Sequence, residues 1–151
     1  MQGVFLTAAE LTHRGFVVSL TARNAFEADL LVTDYECQNA WSVQVKTNQD
    51  AGANFWLLNA HSEKLKSDSH IYVFVALMGN RRPNFLVVPS RIVAENVCKE
   101  TAASGSVWYS FSRDTKWDRK GEGWEESFRN RGRVSEPESP SPPLPAPEGL
   151  K

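Results

Sequence analysis

At 151 residues the chain has the length of a single core, and a second full domain would not fit. Its 41 % hydrophobic and 23 % charged residues match an ordinary globular domain, so the bulk can bury a proper interior. A formal net charge of -1 argues against indiscriminate adhesion to nucleic acid, which rests on phosphate-neutralising Lys and Arg, although carboxylates that hold cations would offset basic residues elsewhere.

In chain order, Met1 to about Arg14 reads as a helix, with Val4, Ala8 and Leu11 on one face, Phe5 and Ala9 widening it, and Gly15 as its stop. Phe16–Ala22 and Asp29–Asp34 read as the first two strands, joined through Arg23 and Asn24, which could touch a phosphate or lie in an ordinary turn. Trp41–Thr47 is the third: Val43 and Val45 alternate with Ser42, Gln44 and Lys46, so Gln44 and Lys46 share a face. Phe55-Trp56 suits a core aromatic pair better than a base-stacking one. The run Ile71–Met78 is apolar without alternation, as a strand covered on both faces requires, and is expected at the centre of the sheet.

After the turn cluster Gly79–Pro83 comes a strand over Asn84–Val88, then a helix over Ser90–Lys99 with Ser90 as N-cap and Ile92, Val93 and Val97 inward. Ser106–Phe111 reads as a short edge strand. Trp117–Arg131 reads as an amphipathic helix with Trp117, Trp124 and Phe128 inward, and its basic residues would suit a DNA-contacting flank or a solvated face equally. From Ser135 the tail SEPESPSPPLPAPEGLK carries six of the eight prolines and is expected to be disordered, either a solubilising segment or a polyproline ligand for a protein partner. The domain organisation expected is therefore a folded unit over 1–134 and a tail over 135–151.

Asp29 opens the second strand, and Gln44-Val45-Lys46 lies within the third. Antiparallel pairing of the two would bring a carboxylate, an amide oxygen and an ammonium group to one spot. Asp29, Gln44 and the Val45 carbonyl are oxygen donors suited to hydrated Mg²⁺ or Mn²⁺, and Glu10 on the first helix offers a further ligand. Lys46 would stand where it can orient an attacking water or stabilise charge on a phosphate. Singly, each residue has a plainer reading: a strand-opening aspartate as a turn residue, a strand lysine as edge protection.

The segments AAELTHRGFVVSLTARNAFEADLLV and SVQVKT resemble the PD-(D/E)XK nuclease superfamily, which contains restriction endonucleases and archaeal Holliday junction resolvases; the resemblance spans about Met1 to Lys99. It implies a restriction-endonuclease-like α/β fold, a mixed central sheet flanked by helices. It also implies a Mg²⁺-dependent endonuclease acting on nucleic acid, DNA above all, with Glu10, Asp29, Gln44 and Lys46 at the matching positions. Ala28 stands where the motif has proline, and Gln44 replaces the usual acid, giving a QxK variant and removing one negative charge from the site. That loss keeps open a non-catalytic module of the same fold that binds nucleic acid or a protein. Cutting two strands would call for two sites, hence a homodimer.

Cys37 and Cys98 form no CxxC or Cys/His grouping, which argues against zinc and reads as two small apolar residues in a reducing compartment. Met1–Leu6 has neither a basic region nor a long apolar run, so a cytoplasmic protein is expected. No glycine-rich phosphate loop or nucleophile elbow suggests a small-molecule enzyme.

Overall fold

The computed structural model describes residues 1–22, 27–50, 52, 54–113 and 121–129. Its elements, in order, are α1 (Gln2–His13), β1 (Val17–Leu20), β2 (Leu30–Thr33), β3 (Ala40–Asn48), β4 (Phe55–Leu58), a 3-10 turn (Ala60–Glu63), β5 (His70–Ala76), β6 (Asn84–Pro89), α2 (Ser90–Asn96), β7 (Cys98–Thr101), β8 (Val107–Ser112) and a single helical turn α3 (Trp124–Ser127). Among these described residues no helix is long and apolar enough to cross a membrane.

Five strands form a mixed sheet in the order β1-β2-β3-β5-β6, and three more form a small antiparallel sheet in the order β4-β8-β7. As expected from the sequence, β1, β2 and β3 make an antiparallel meander, Leu30 standing opposite Val43 and Val32 opposite Trp41. The register continues with β5 parallel to β3, Gln44 beside Tyr72 and Lys46 beside Phe74. β5 is buried along its whole length and lies one strand in from the β6 edge.

Strand alternation divides the interior into two cores. Val43 and Val45 of β3 join Leu30, Val32, Ile71, Val73 and Val75 beneath α1, which contributes Val4 and Leu11. Gly3 lets α1 press on the sheet: a Cβ there would stand 2.0 Å from Thr47 Oγ1. On the opposite face Tyr72, Phe74, Leu86 and Val88 pack against Trp56 and Phe111 of the small sheet and Val93 of α2. That cover stops short of β1 and β2, where Val17 and Leu31 remain about half exposed on the same face.

Several expectations need correction. The second helix ends at Asn96 rather than Lys99, because Val97 is extended (ψ 131°) and starts the turn into β7. Ser90 is the first residue of that helix and not its cap; its hydroxyl donates to the Ser67 carbonyl and accepts from the Ser67 N–H, pinning the helix to the loop before β5. The strand near Ser106–Phe111 is the middle strand of its sheet, and not an edge, since β4 and β7 both pair with it. Both cysteines are exposed rather than packed. Trp56 is buried as read, whereas its neighbour Phe55 is half exposed. Among the described residues of the expected final helix, Trp124–Ser127 are helical, with Trp124 and Phe128 buried; Trp117, Arg131, the Arg23-Asn24 turn and the tail from Ser135 lie outside the described residues.

Candidate functional site

Asp29 stands immediately before β2 and extends the ladder, its N–H donating to the Val43 carbonyl at 2.8 Å. Its side chain shares the face of Leu31, away from α1, and reaches across to β3. There Oδ2 accepts two hydrogen bonds, from Gln44 Nε2 at 2.7 Å and from the Val45 N–H at 2.7 Å. The carboxylate thus satisfies a β3 amide that β2 no longer pairs, because the chain before Asp29 turns off toward Thr21, whose hydroxyl donates to the Ala28 carbonyl at 2.5 Å. Asp29 and Gln44 are both half-buried, at the border between the covered and the bare parts of the sheet face.

Lys46 follows on the same face, half-buried, and makes no ion pair among the described residues. It lines a cleft of about 350 Å³ together with Thr47 and Asn48 on one wall and Phe55, Trp56 and Leu57 on the other. Asn48 Nδ2 donates to the Phe55 carbonyl at 3.0 Å and ties the two walls together.

Glu10 is not brought to this spot. It rides on α1, over the opposite face of the sheet, where its Oε1 pairs with Arg14 at 2.8 Å and with Arg82 at 3.2 Å. Arg82 also binds Glu122 at 2.6 Å. Burial alone would raise the Glu122 carboxyl, but hydrogen bonds from Arg82 and the Trp124 indole, with the charges of Arg82 and Arg14, hold it below the usual range. The physical reason is helix direction. The first turn of α1, at Met1 and Val4, shares a small hollow with Ala28 and Asp29, and Glu10 lies six residues further on, about 9 Å along the axis at 1.5 Å per residue.

A second polar cluster, which sequence reasoning did not pick out, adjoins Gln44 across the β3–β5 ladder. The Tyr72 hydroxyl hydrogen-bonds Ser62 Oγ at 2.9 Å and donates to Glu27 Oε2 at 3.5 Å, and Asn59 Nδ2 donates to Glu27 Oε1. Burial pushes the Tyr72 phenol up to about 12, with the Glu27 charge adding to the effect, so it stays a protonated donor. His70 Nδ1 is 2.8 Å from Ser42 Oγ, and burial lowers its imidazole below the usual histidine value against the opposing pull of Glu27. The cluster depends on the β3–β5 register, which sets Ser42 beside His70 and Gln44 beside Tyr72 and which the sequence alone does not announce.

Among the described residues no group of three or more His, Cys, Asp or Glu stands together as a metal cage. The oxygen donors near Asp29 nevertheless suit a mostly hydrated Mg²⁺ or Mn²⁺, which needs only one or two carboxylates. They are the Asp29 carboxylate, Gln44 Oε1 after a half-turn of its amide, and the Val45 carbonyl. The last points to the same side of β3 as the Val45 N–H that binds Asp29.

The sequence matches no family model, and no curated protein is significantly similar to it. Among solved structures, Hjc, a Holliday junction resolvase from the archaeal hyperthermophile Archaeoglobus fulgidus, superposes with a TM-score of 0.52 at 11 % identity, over 84 % of this chain and 96 % of that one. This chain shares the fold of that resolvase. A bacterial homing endonuclease aligns with a TM-score of 0.49 at 17 % identity, over 83 % of this chain and 85 % of that one.

Proposed function

We propose that the chain is a metal-dependent endonuclease that hydrolyses phosphodiester bonds in nucleic acid, with DNA as its substrate. The supporting observation is that Asp29, Gln44 and the Val45 backbone are knotted together by two 2.7 Å hydrogen bonds, with Lys46 two residues along the same face, on the fold of a DNA junction resolvase.

Asp29, Gln44 Oε1 and the Val45 carbonyl would hold a Mg²⁺ or Mn²⁺ ion. When bound, such an ion supplies Lewis-acid neutralisation of the phosphate and a lowered pKa for water. Lys46 contributes a positive charge that costs no reorganisation at the moment of reaction, because its stem is half-buried beside Phe74 and its direction is set by β3. Asp29 has a second task, since its two bonds fix where the Gln44 amide and the β3 backbone lie. Glu10, committed to Arg14 and Arg82, has no part in the proposed set.

One observation favours a second reading, a non-catalytic module that keeps the fold. Among the described residues the site has a single carboxylate, and Gln44 turns its amide nitrogen toward it. Labelled duplex, branched and single-stranded DNA, with RNA alongside, incubated with Mg²⁺ or Mn²⁺, separates the two. Metal-dependent cleavage of any DNA substrate supports the nuclease; uncut DNA from a folded protein, with cutting gained in Gln44→Glu, identifies a lapsed one.

A further inference from the structure

The small sheet leaves apolar surface exposed beside Lys46. Trp56 faces inward and donates from its indole N–H to the Val75 carbonyl at 3.1 Å, so its neighbours Phe55 and Leu57 must face outward, and each is about half exposed. They lie on β4, which among the described strands pairs only with β8, so its other edge, apart from the Asn48 bond to the Phe55 carbonyl, forms no ladder there. Exposed apolar side chains on an open edge invite unwanted pairing unless they serve a purpose. The cleft they wall is of mixed character: apolar on the β4 side, and closed on the β3 side by the Lys46 ammonium and the Asn48 amide.

We infer that this cleft binds an unpaired nucleotide of a DNA strand, its base stacked on Phe55 against Leu57 and its phosphate on Lys46. The cleft's volume of about 350 Å³ suits one nucleotide rather than a duplex groove. Every base offers a π-face, so an exposed aromatic ring binds single strands with little regard to sequence. Charge complementarity fixes the polarity: Lys46 has no ion-pair partner among the described residues and attracts the phosphate, whereas the other exposed aromatic of the small sheet, Trp108, stands opposite Glu100, which repels one. Binding itself is independent of the nuclease reading, and only the cleavage step rests on it. A base held on Phe55 would present its adjoining phosphate to Lys46 and so direct cutting to strands that are already unstacked.

The test is fluorescence anisotropy with a fluorescein-labelled oligothymidylate of about twelve nucleotides, within the span that single-strand sites cover, and a blunt duplex of equal length. EDTA is present throughout, so that cleavage plays no part. Wild type is expected to bind the single strand more tightly than the duplex. Phe55→Ala should weaken single-strand binding about 5- to 150-fold, the range of one lost base stack, while Phe55→Trp retains it and Trp108→Ala leaves it unchanged. Lys46→Ala should reduce the slope of log affinity against log salt by about 0.7, the value of one phosphate contact on a single strand. Circular dichroism confirms that each variant is folded. Equal binding of the duplex, an unaffected Phe55→Ala, or an equal loss in Trp108→Ala would overturn the inference. Failure of the nuclease reading looks different: Phe55-dependent binding would persist in a protein that cuts nothing with Mn²⁺.

Discussion

Replacing Asp29 by alanine should destabilise the protein as well as silence it, and the size of that loss is set by the knot at the β2–β3 junction. Oδ2 accepts from Gln44 Nε2 and from the Val45 N–H, both at 2.7 Å. A hydrogen bond to a charged group contributes about 1.5–3 kcal/mol net. Because Asp29 is half-buried, water can reach the orphaned donors and the low end applies, giving about 2–3 kcal/mol for both bonds. For a domain of this size that is a fall in Tm of roughly 6–12 °C. Gln44→Ala removes one donor and leaves the backbone bond, so it should cost about 1 kcal/mol, and the double variant should show the coupling of about 0.5 kcal/mol or more expected of residues in contact. Urea unfolding of the four proteins measures all three quantities. An Asp29→Ala protein within about 0.3 kcal/mol of wild type, less than the non-additivity noise of distant sites, would show that the carboxylate does not hold β3 and would remove the geometric basis for the site.

Gly3→Ala should destabilise by about 1–3 kcal/mol through overpacking, since its Cβ would meet Thr47 Oγ1 at 2.0 Å; the same urea unfolding checks it, and a rescue by Gly3→Ala with Thr47→Ala identifies the contact as the cause. His70 sets an acid limit to stability. Its folded-state pKa is depressed, chiefly by burial, so the unfolded chain binds the proton more readily; the contribution is present above the ordinary value of 6.5 and is lost as pH falls below it. Unfolding free energies from pH 8 to 5 should fall on the acid side in wild type and fall less in His70→Gln, and parallel curves would refute the assignment.

Much of the fold was legible because it depends on local pattern. The alternation from Trp41 to Thr47 and the unbroken apolar run from Ile71 each dictate burial, and hence sheet position, without reference to distant residues. The short strands were not. Phe55–Leu58 alternates only in burial, since all four side chains are apolar, and Cys98–Thr101 comes after a helix with no glycine or proline to mark the break. At the site, Asp29 and Gln44 were legible because one antiparallel register joins them. Glu10 was misplaced because the direction in which α1 crosses the sheet is a tertiary fact, settled by Gly3 against Thr47 and by the pairing of Glu10 with Arg82, 72 residues away. The pairing of Glu27 was not legible for the same reason: its partners Asn59 and Tyr72 lie on later elements.

The proposed chemistry is tested most directly by turnover and cation binding measured side by side in wild type, Asp29→Asn and Lys46→Ala, below the melting temperature of the least stable. Asp29→Asn should weaken Mn²⁺ binding, seen by calorimetry, and lower cleavage in a way that high Mn²⁺ partly restores. Lys46→Ala should bind Mn²⁺ as well as wild type or better, because a neighbouring positive charge is gone, yet cleave about a hundredfold or more slowly, the loss typical of one preorganised charge-stabilising group. If wild type cleaves and both variants cleave equally well, the active site lies elsewhere and the assignment of Asp29, Gln44 and Lys46 is wrong.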